Sequence, residues 1–103
     1  MPPVFSWIDE LDRNARGRPF LSESAARRLA RNAGAGKWYT AHYATQWTVG
    51  KVGNSEFSSF HVLDGSGEPL RFESELEAWE YLRCDLNVPT RAIMLLEREH
   101  KAA

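Results

Sequence analysis

Apolar residues in the first part of the chain recur at helical spacing. Trp7, Ile8 and Leu11 form one apolar stripe. Ser6 stands just before this stripe and is of a residue type that caps helix N-termini. Gly17 interrupts the pattern, because glycine is a poor helix former. The spacing therefore predicts a short first helix that begins after Ser6.

A second helical pattern follows, and its two sides differ in character. We expect it to begin at Ser22 and to end at Gly34. Its apolar side recurs every four residues at Leu21, Ala25, Leu29 and Ala33. At about 100° per residue, Arg27, Arg28 and Arg31 fall within one arc on the other side. The pattern predicts an amphipathic helix with an arginine face.

From Lys37 the residue types change to those that fit a pleated sheet. Aromatic and β-branched residues dominate the stretch from Trp38 to Val52, which predicts one or two strands. No glycine or asparagine lies between them to mark a tight turn. Residues 53–55 (Gly-Asn-Ser) predict a loop. Residues 60–63, followed by Asp-Gly-Ser-Gly at 64–67, predict a hairpin whose return strand carries Leu70 and Phe72.

The last part of the sequence returns to helical spacing. Ser74 and Glu77 have the spacing of a capping box at the start of a third helix. Pro89 separates this helix from a final one, predicted from Thr90 to Lys101. The buried stripe predicted for the third helix consists of Leu76, Trp79, Leu82 and Leu86.

These elements predict a single small α+β domain over residues 1–103. The predicted order is α-α-β-β-β(-β)-α-α, with residues 1–36 helical, 37–73 an antiparallel sheet and 74–103 helical. The helices before and after the sheet are expected to pack against it.

Composition places the chain among ordinary globular proteins. It has 103 residues, of which 43% are hydrophobic and 26% charged, and a net charge of −1. Cys84 is the only cysteine, which excludes an intramolecular disulfide and favours the cytoplasm. We expect no signal peptide and no association with a membrane, because the apolar runs are too short to span one. Arginine outnumbers lysine by ten to three, which favours a GC-rich bacterial origin.

Charge is distributed unevenly along the sequence. Between Leu11 and Lys37 there are seven basic and two acidic residues, whereas residues 54–103 contain ten acidic and five basic ones. Such asymmetry in a nearly neutral chain favours a basic face with a polyanionic partner.

The arginine face makes nucleic acid, DNA or RNA, the first candidate partner. Arginine binds phosphate through two parallel hydrogen bonds, so Arg27, Arg28 and Arg31 are expected to contact the backbone, with Lys37 at the edge. The adjoining Trp38 and Tyr39 offer rings on which unpaired bases can stack. The alternative is that the arginines keep the helix soluble and pair with acidic residues of the same chain, while the aromatic rings fill the core.

A protein partner, or a second copy of this chain, is the second candidate. The stretch Ile93, Met94, Leu95 and Leu96 has four consecutive apolar residues, and a helix that packs on one core buries only some of them. The surplus apolar surface favours an interface.

The sequence contains no established catalytic or metal-binding motif. His42 and His61 face one another if their strands pair, and Asp64 lies nearby in sequence. The competing interpretation is that both histidines are packed and hydrogen-bonded without a chemical role, and we favour it because their spacing matches no known ligand pattern. We therefore expect no catalytic site, no metal site and no cofactor, and a protein that is not an enzyme.

Overall fold

The computed structural model describes residues 11–31, 36–53 and 59–96. Its six strands are β1 (Asp12–Arg13), β2 (Pro19–Ser22), β3 (Trp38–Tyr43), β4 (Gln46–Val52), β5 (Ser59–Leu63) and β6 (Ile93–Leu96). Its helical elements are α1 (Glu23–Ala30), α2 (Glu75–Glu80), a π-helical turn (Tyr81–Asp85) and a 3₁₀ turn (Thr90–Ala92). Together they form an α+β unit, which agrees with the predicted class.

The six strands form one mixed sheet in the order β1-β2-β5-β4-β3-β6. β1 and β2, β3 and β4, and β4 and β5 pair antiparallel, whereas β2 pairs with β5, and β3 with β6, in parallel. The prediction of an antiparallel sheet is therefore wrong in this respect. Both parallel pairs join strands that are far apart in sequence, which local patterns do not reveal.

Helix α1 follows β2 directly and confirms the second predicted helix. The Ser22 hydroxyl accepts a hydrogen bond from the backbone N–H of Ala25 at 3.2 Å, as an N-terminal cap does. Ala25, Ala26 and Leu29 are buried against the sheet. The helix ends at Ala30, earlier than expected, and Gly34 lies outside the described residues.

A two-residue turn at Ala44 and Thr45 joins β3 to β4. Tyr43 pairs with Gln46 across it, and Ala44 has a φ of 57°. This left-handed conformation is uncommon for alanine, so the residue types at this position do not predict a tight turn.

The turn after β5 is held by the Asp64 carboxylate. Its Oδ1 atom accepts hydrogen bonds from the backbone N–H groups of Ser66 and Glu68 at 2.8 and 3.1 Å. These bonds explain why Asp-Gly-Ser-Gly predicted the turn correctly. The returning segment forms isolated bridges in place of the predicted strand, joining Leu63 to Pro69 and Trp47 to Phe72.

Helix α2 begins at the predicted capping box. The Ser74 hydroxyl accepts from the N–H of Glu77 at 3.1 Å, and the Glu77 carboxylate accepts from the N–H of Glu73 at 3.1 Å. The predicted buried stripe is correct for Leu82 and Leu86 but wrong for Leu76, which is 60% exposed. The residue of α2 that is buried in the core is Ala78, four positions before Leu82, and Leu76 does not lie on that side of the helix.

Two other helix predictions are wrong over the described residues. The first predicted helix includes Asp12 and Arg13, which form β1, while Ser6, Trp7 and Ile8 lie outside the described residues. The final predicted helix is replaced by the 3₁₀ turn and β6, and its remainder up to Lys101 is also outside them. Four consecutive apolar residues are compatible with a buried strand as well as with a helix. Here they form a strand, because they pair with β3.

The two faces of the sheet have different surroundings. The hydrophobic core lies on the face that α1, α2 and the π-helical turn cover, which we call the helix-covered face. Trp38, Val49 and Phe60 point into it from three neighbouring strands. Side chains alternate along a strand, so Tyr39 and His61 lie on the other side, which we call the opposite face. None of the helices in the described part of the chain has the length and apolar character of a membrane span.

Candidate functional site

Three arginines project from the outer side of α1 into solvent. Arg27, Arg28 and Arg31 are all exposed, because the cap at Ser22 and the burial of the alanine and leucine side chains fix the rotation of the helix. We call these three side chains the arginine surface. Its exposure is what the helical spacing predicted.

The arginine surface has few contacts with the rest of the chain. Arg27 donates a hydrogen bond from Nη1 to the main-chain carbonyl of Asp85 at 3.2 Å. Within residues 11–31, 36–53 and 59–96, no carboxylate forms an ion pair with Arg27, Arg28 or Arg31. The three guanidinium groups are therefore not held in direct ion pairs by the acidic residues of that part of the chain.

A cavity of about 210 Å³ opens beside the arginine surface, between the end of α1 and the end of the π-helical turn. Arg27 and Arg31 supply its basic wall. Asn87, with a φ of 60°, turns the chain at its rim. The remaining lining residues are Ala30, Asp85 and Leu86.

The other residues predicted to bind nucleic acid are placed differently. Lys37 is exposed, and its Nζ donates to the main-chain carbonyl of Arg91 at 3.0 Å. Trp38 and Tyr39 are only 2% and 0% exposed. Their rings cannot stack on a base from these positions, because stacking requires an accessible ring face. Burial of both rings corrects the expectation that they form a stacking surface.

The predicted pairing of His42 with His61 does not form. His42 lies on the helix-covered face with its ring 3.9 Å from that of Trp47, whereas His61 lies on the opposite face. The two rings lie on opposite faces because His42 pairs with Trp47 and His61 pairs with Gly50, and positions 47 and 50 of β4 point to different faces. The described residues contain no group of three or more potential metal ligands.

His61 is instead bonded to a buried tyrosine. The Tyr39 hydroxyl lies 2.7 Å from His61 Nδ1. Burial raises the pKa of Tyr39 well above its usual value, so the phenol stays protonated. It then donates to Nδ1, which places the proton of a neutral His61 on Nε2. Tyr39 and His61 thus form a hydrogen-bonded pair that sequence patterns gave no means to find.

Lys51 is a buried charge on the helix-covered face. Its Nζ lies 5.3 Å from the centre of the Trp38 ring and 3.4 Å from the carbonyl of Lys37. Burial lowers the pKa of Lys51 to about 8. The alternation of Trp47, Val49 and Lys51 along β4 places this lysine on the core side, and that pattern is the sequence signal for its burial.

The predicted apolar interface occupies an edge of the sheet. Residues 93–96 form β6, which pairs on one side with β3 and is the last strand in the sheet order. Met94 is 41% exposed. Among the described strands β6 therefore forms an edge of the sheet, and it is not the helical face that was expected.

Comparison of the chain with models of protein families, with curated proteins and with solved structures found no match.

Proposed function

We propose that this chain is a small non-enzymatic nucleic-acid-binding protein that contacts phosphates through Arg27, Arg28 and Arg31. One observation carries the proposal: three exposed guanidinium groups on one helix have no carboxylate partner among the described residues. Each guanidinium presents donors in a planar fork that matches two phosphate oxygens. We propose the exposed Lys37 as a further phosphate contact at the edge of this surface. We place this function in the cytoplasm, as the lone cysteine favours.

The proposed contact is with the backbone and not with the bases. Burial of Trp38 and Tyr39 removes the rings that would have stacked on unpaired bases. Phosphate contacts fix the position of a protein on a strand but carry no direct sequence information. The binding we propose is therefore strongly dependent on salt and weakly dependent on sequence.

Fluorescence anisotropy with labelled single- and double-stranded DNA and RNA tests the proposal, at low and near-physiological salt. The test variant replaces all three residues of the arginine surface with alanine. A slope of log K against log salt of roughly −0.7 to −0.9 per phosphate contact is expected. The triple variant should lose about two to three units of that slope if each arginine makes one contact.

The matched control is the triple alanine variant of Arg13, Arg16 and Arg18. These arginines are exposed in the β1–β2 segment, and their removal changes the net charge by the same amount. Unchanged binding in the control, with loss in the test variant, supports the arginine surface. Equal loss in both variants indicates diffuse attraction to net charge, and no binding by the wild type at low salt refutes the proposal.

The edge position of β6 supports a second candidate function, association with another protein chain by strand addition. β6 is apolar, whereas β1 at the other edge is two residues long and charged. Charged, short edge strands resist pairing, and apolar ones permit it. Sedimentation velocity over a range of concentrations tests this candidate. Met94→Lys should abolish any self-association, and a wild type that stays monomeric excludes the homodimer.

A further inference from the structure

The cavity beside the arginine surface combines groups of three chemical kinds. Of the residues that line it, Arg27 and Arg31 are cationic, Asp85 is acidic, and Asn87 has an amide side chain. The other two lining residues, the half-buried Ala30 and the buried Leu86, are apolar. A carboxylate repels a simple anion, so a lining that contains both arginine and aspartate favours a ligand with both acidic and hydroxyl groups.

The two arginines are placed to hold one phosphate together. They are four residues apart, which puts them on the same side of α1 one turn from each other. The bond from Arg27 to the carbonyl of Asp85 uses one of its five N–H donors and fixes the guanidinium at the cavity. The other donors of both groups are available for phosphate oxygens.

Asp85 is placed to accept hydrogen bonds from a sugar. Arg27 bonds to the main-chain oxygen of Asp85, and no described residue forms an ion pair with its exposed carboxylate. A free carboxylate beside a phosphate site accepts hydrogen bonds from ribose hydroxyls, as acidic residues do in dinucleotide-binding sites. The 2′-hydroxyl is the group by which proteins distinguish RNA from DNA.

The volume of the cavity limits what it encloses. At about 210 Å³ it is smaller than the pockets of roughly 300–1,000 Å³ that enclose a whole small-molecule ligand. It therefore suits one unit of a longer chain better than a free nucleotide with its base.

We infer that this cavity receives one sugar–phosphate unit of an RNA strand, with the phosphate on Arg27 and Arg31 and a ribose hydroxyl on Asp85. The inference rests on the proposed function and makes it more specific, because it selects RNA over DNA. Arg28 belongs to the arginine surface but does not line the cavity. It contacts phosphate without contributing to the choice of sugar.

The test compares short ribo- and deoxyribo-oligonucleotides of matched sequence by fluorescence anisotropy, with wild type, Asp85→Ala and Arg28→Ala. Wild type should bind the ribo-oligonucleotide about tenfold more tightly, the effect of one hydrogen bond to a charged group. Asp85→Ala should weaken RNA binding and strengthen DNA binding, because it removes both the sugar contact and a charge that repels phosphate. Arg28→Ala should weaken both equally.

The opposite response of the two ligands separates sugar recognition from a structural effect. An Asp85→Ala variant that misfolds weakens both ligands, and circular dichroism identifies it. Asp85→Asn, which keeps the side-chain shape and one oxygen, then takes its place and should reduce the preference for RNA. If RNA and DNA bind equally and Asp85→Ala strengthens both, the proposed function stands and the ribose contact is refuted. If neither ligand binds, both fail.

Discussion

The hydroxyl of Tyr39 lies 2.7 Å from Nδ1 of His61, across two strands that are not neighbours in the sheet. Gly50 on β4 lies between them and pairs with both residues. The ring of Tyr39 passes over this glycine, which has no side chain to obstruct it. Three residues from three strands thus create one polar contact on the opposite face.

Tyr39→Phe should lower the free energy of unfolding by about 1–2 kcal/mol, because it removes a buried hydrogen bond and keeps the ring. The variant should also lose the preference of His61 for the Nε2–H tautomer, since the hydroxyl that donates to Nδ1 is gone. Denaturant unfolding measures the first effect, and ¹⁵N chemical shifts of the imidazole measure the second. Tyr43→Phe is the control, because the Tyr43 ring packs edge-on against His61 with centroids 5.5 Å apart. If the Nε2–H tautomer persists in Tyr39→Phe, the hydroxyl does not determine it.

Gly50→Ala should be the most destabilising small substitution in the sheet. An added Cβ atom would overlap the main-chain oxygen of Phe60 and the hydroxyl oxygen of Tyr39. Overpacking of this kind costs about 1–3 kcal/mol, and backbone on one side leaves little room to relax. Thermal or urea unfolding measures the loss. Gly65→Ala is the matched control, because nothing lies within 4 Å of its added Cβ. Equal stability of the two variants would contradict the close packing of Tyr39 on Gly50.

Local patterns predicted the elements whose signals lie within one segment of the chain. The capping residues Ser22 and Ser74 marked the starts of α1 and α2, and the residue types of β3 and β4 marked a sheet. The pattern failed for β6, because Ile93–Leu96 is apolar on both sides and has no period to read. Its parallel pairing with β3 depends on residues more than 50 positions away.

The candidate site was predictable to a similar extent. Helical periodicity placed Arg27 and Arg31 on the exposed side of α1, because that side is set by the alanines opposite. It did not place them at a cavity, since Asp85 and Asn87 come from a distant segment. The burial of both Trp38 and Tyr39 was missed for a different reason. Neighbouring residues on a strand point to opposite faces of the sheet, so both are buried only when both faces are covered.

Lys51 should make stability depend on pH in the alkaline range. Burial lowers its pKa from 10.5 to about 8, so between these values the unfolded chain holds a proton that the folded chain has released. The contribution of Lys51 to stability therefore rises with pH across this window, and its burial penalty is complete below pH 8. Above pH 10 Tyr81 has the opposite influence and lowers stability as pH rises, because burial raises its pKa to about 12.

Lys51→Met isolates this contribution, because methionine has a similar length and no charge. The free energy of unfolding of Lys51→Met minus that of wild type should be larger at neutral pH than at pH 10, by roughly 1–3 kcal/mol. Urea unfolding of both proteins at several pH values between 7 and 10 measures the change in their difference. Lys37→Met, at an exposed lysine, is the control. A difference between Lys51→Met and wild type that is constant with pH would show that Lys51 is not desolvated in the folded state.

Ser22→Ala should destabilise the helix that carries the arginine surface. The Ser22 hydroxyl accepts from the N–H of Ala25 at 3.2 Å, and loss of such a cap costs about 1 kcal/mol. Thr45→Ala is the control, because Thr45 is exposed and lies in the turn between β3 and β4, away from the cap. Denaturant unfolding should separate the two variants by about that amount. Amide hydrogen exchange should locate the loss in the first turn of α1, since the capped N–H groups lie there. If exchange rises equally throughout the sheet, Ser22 stabilises the fold as a whole and does not act as a cap of α1.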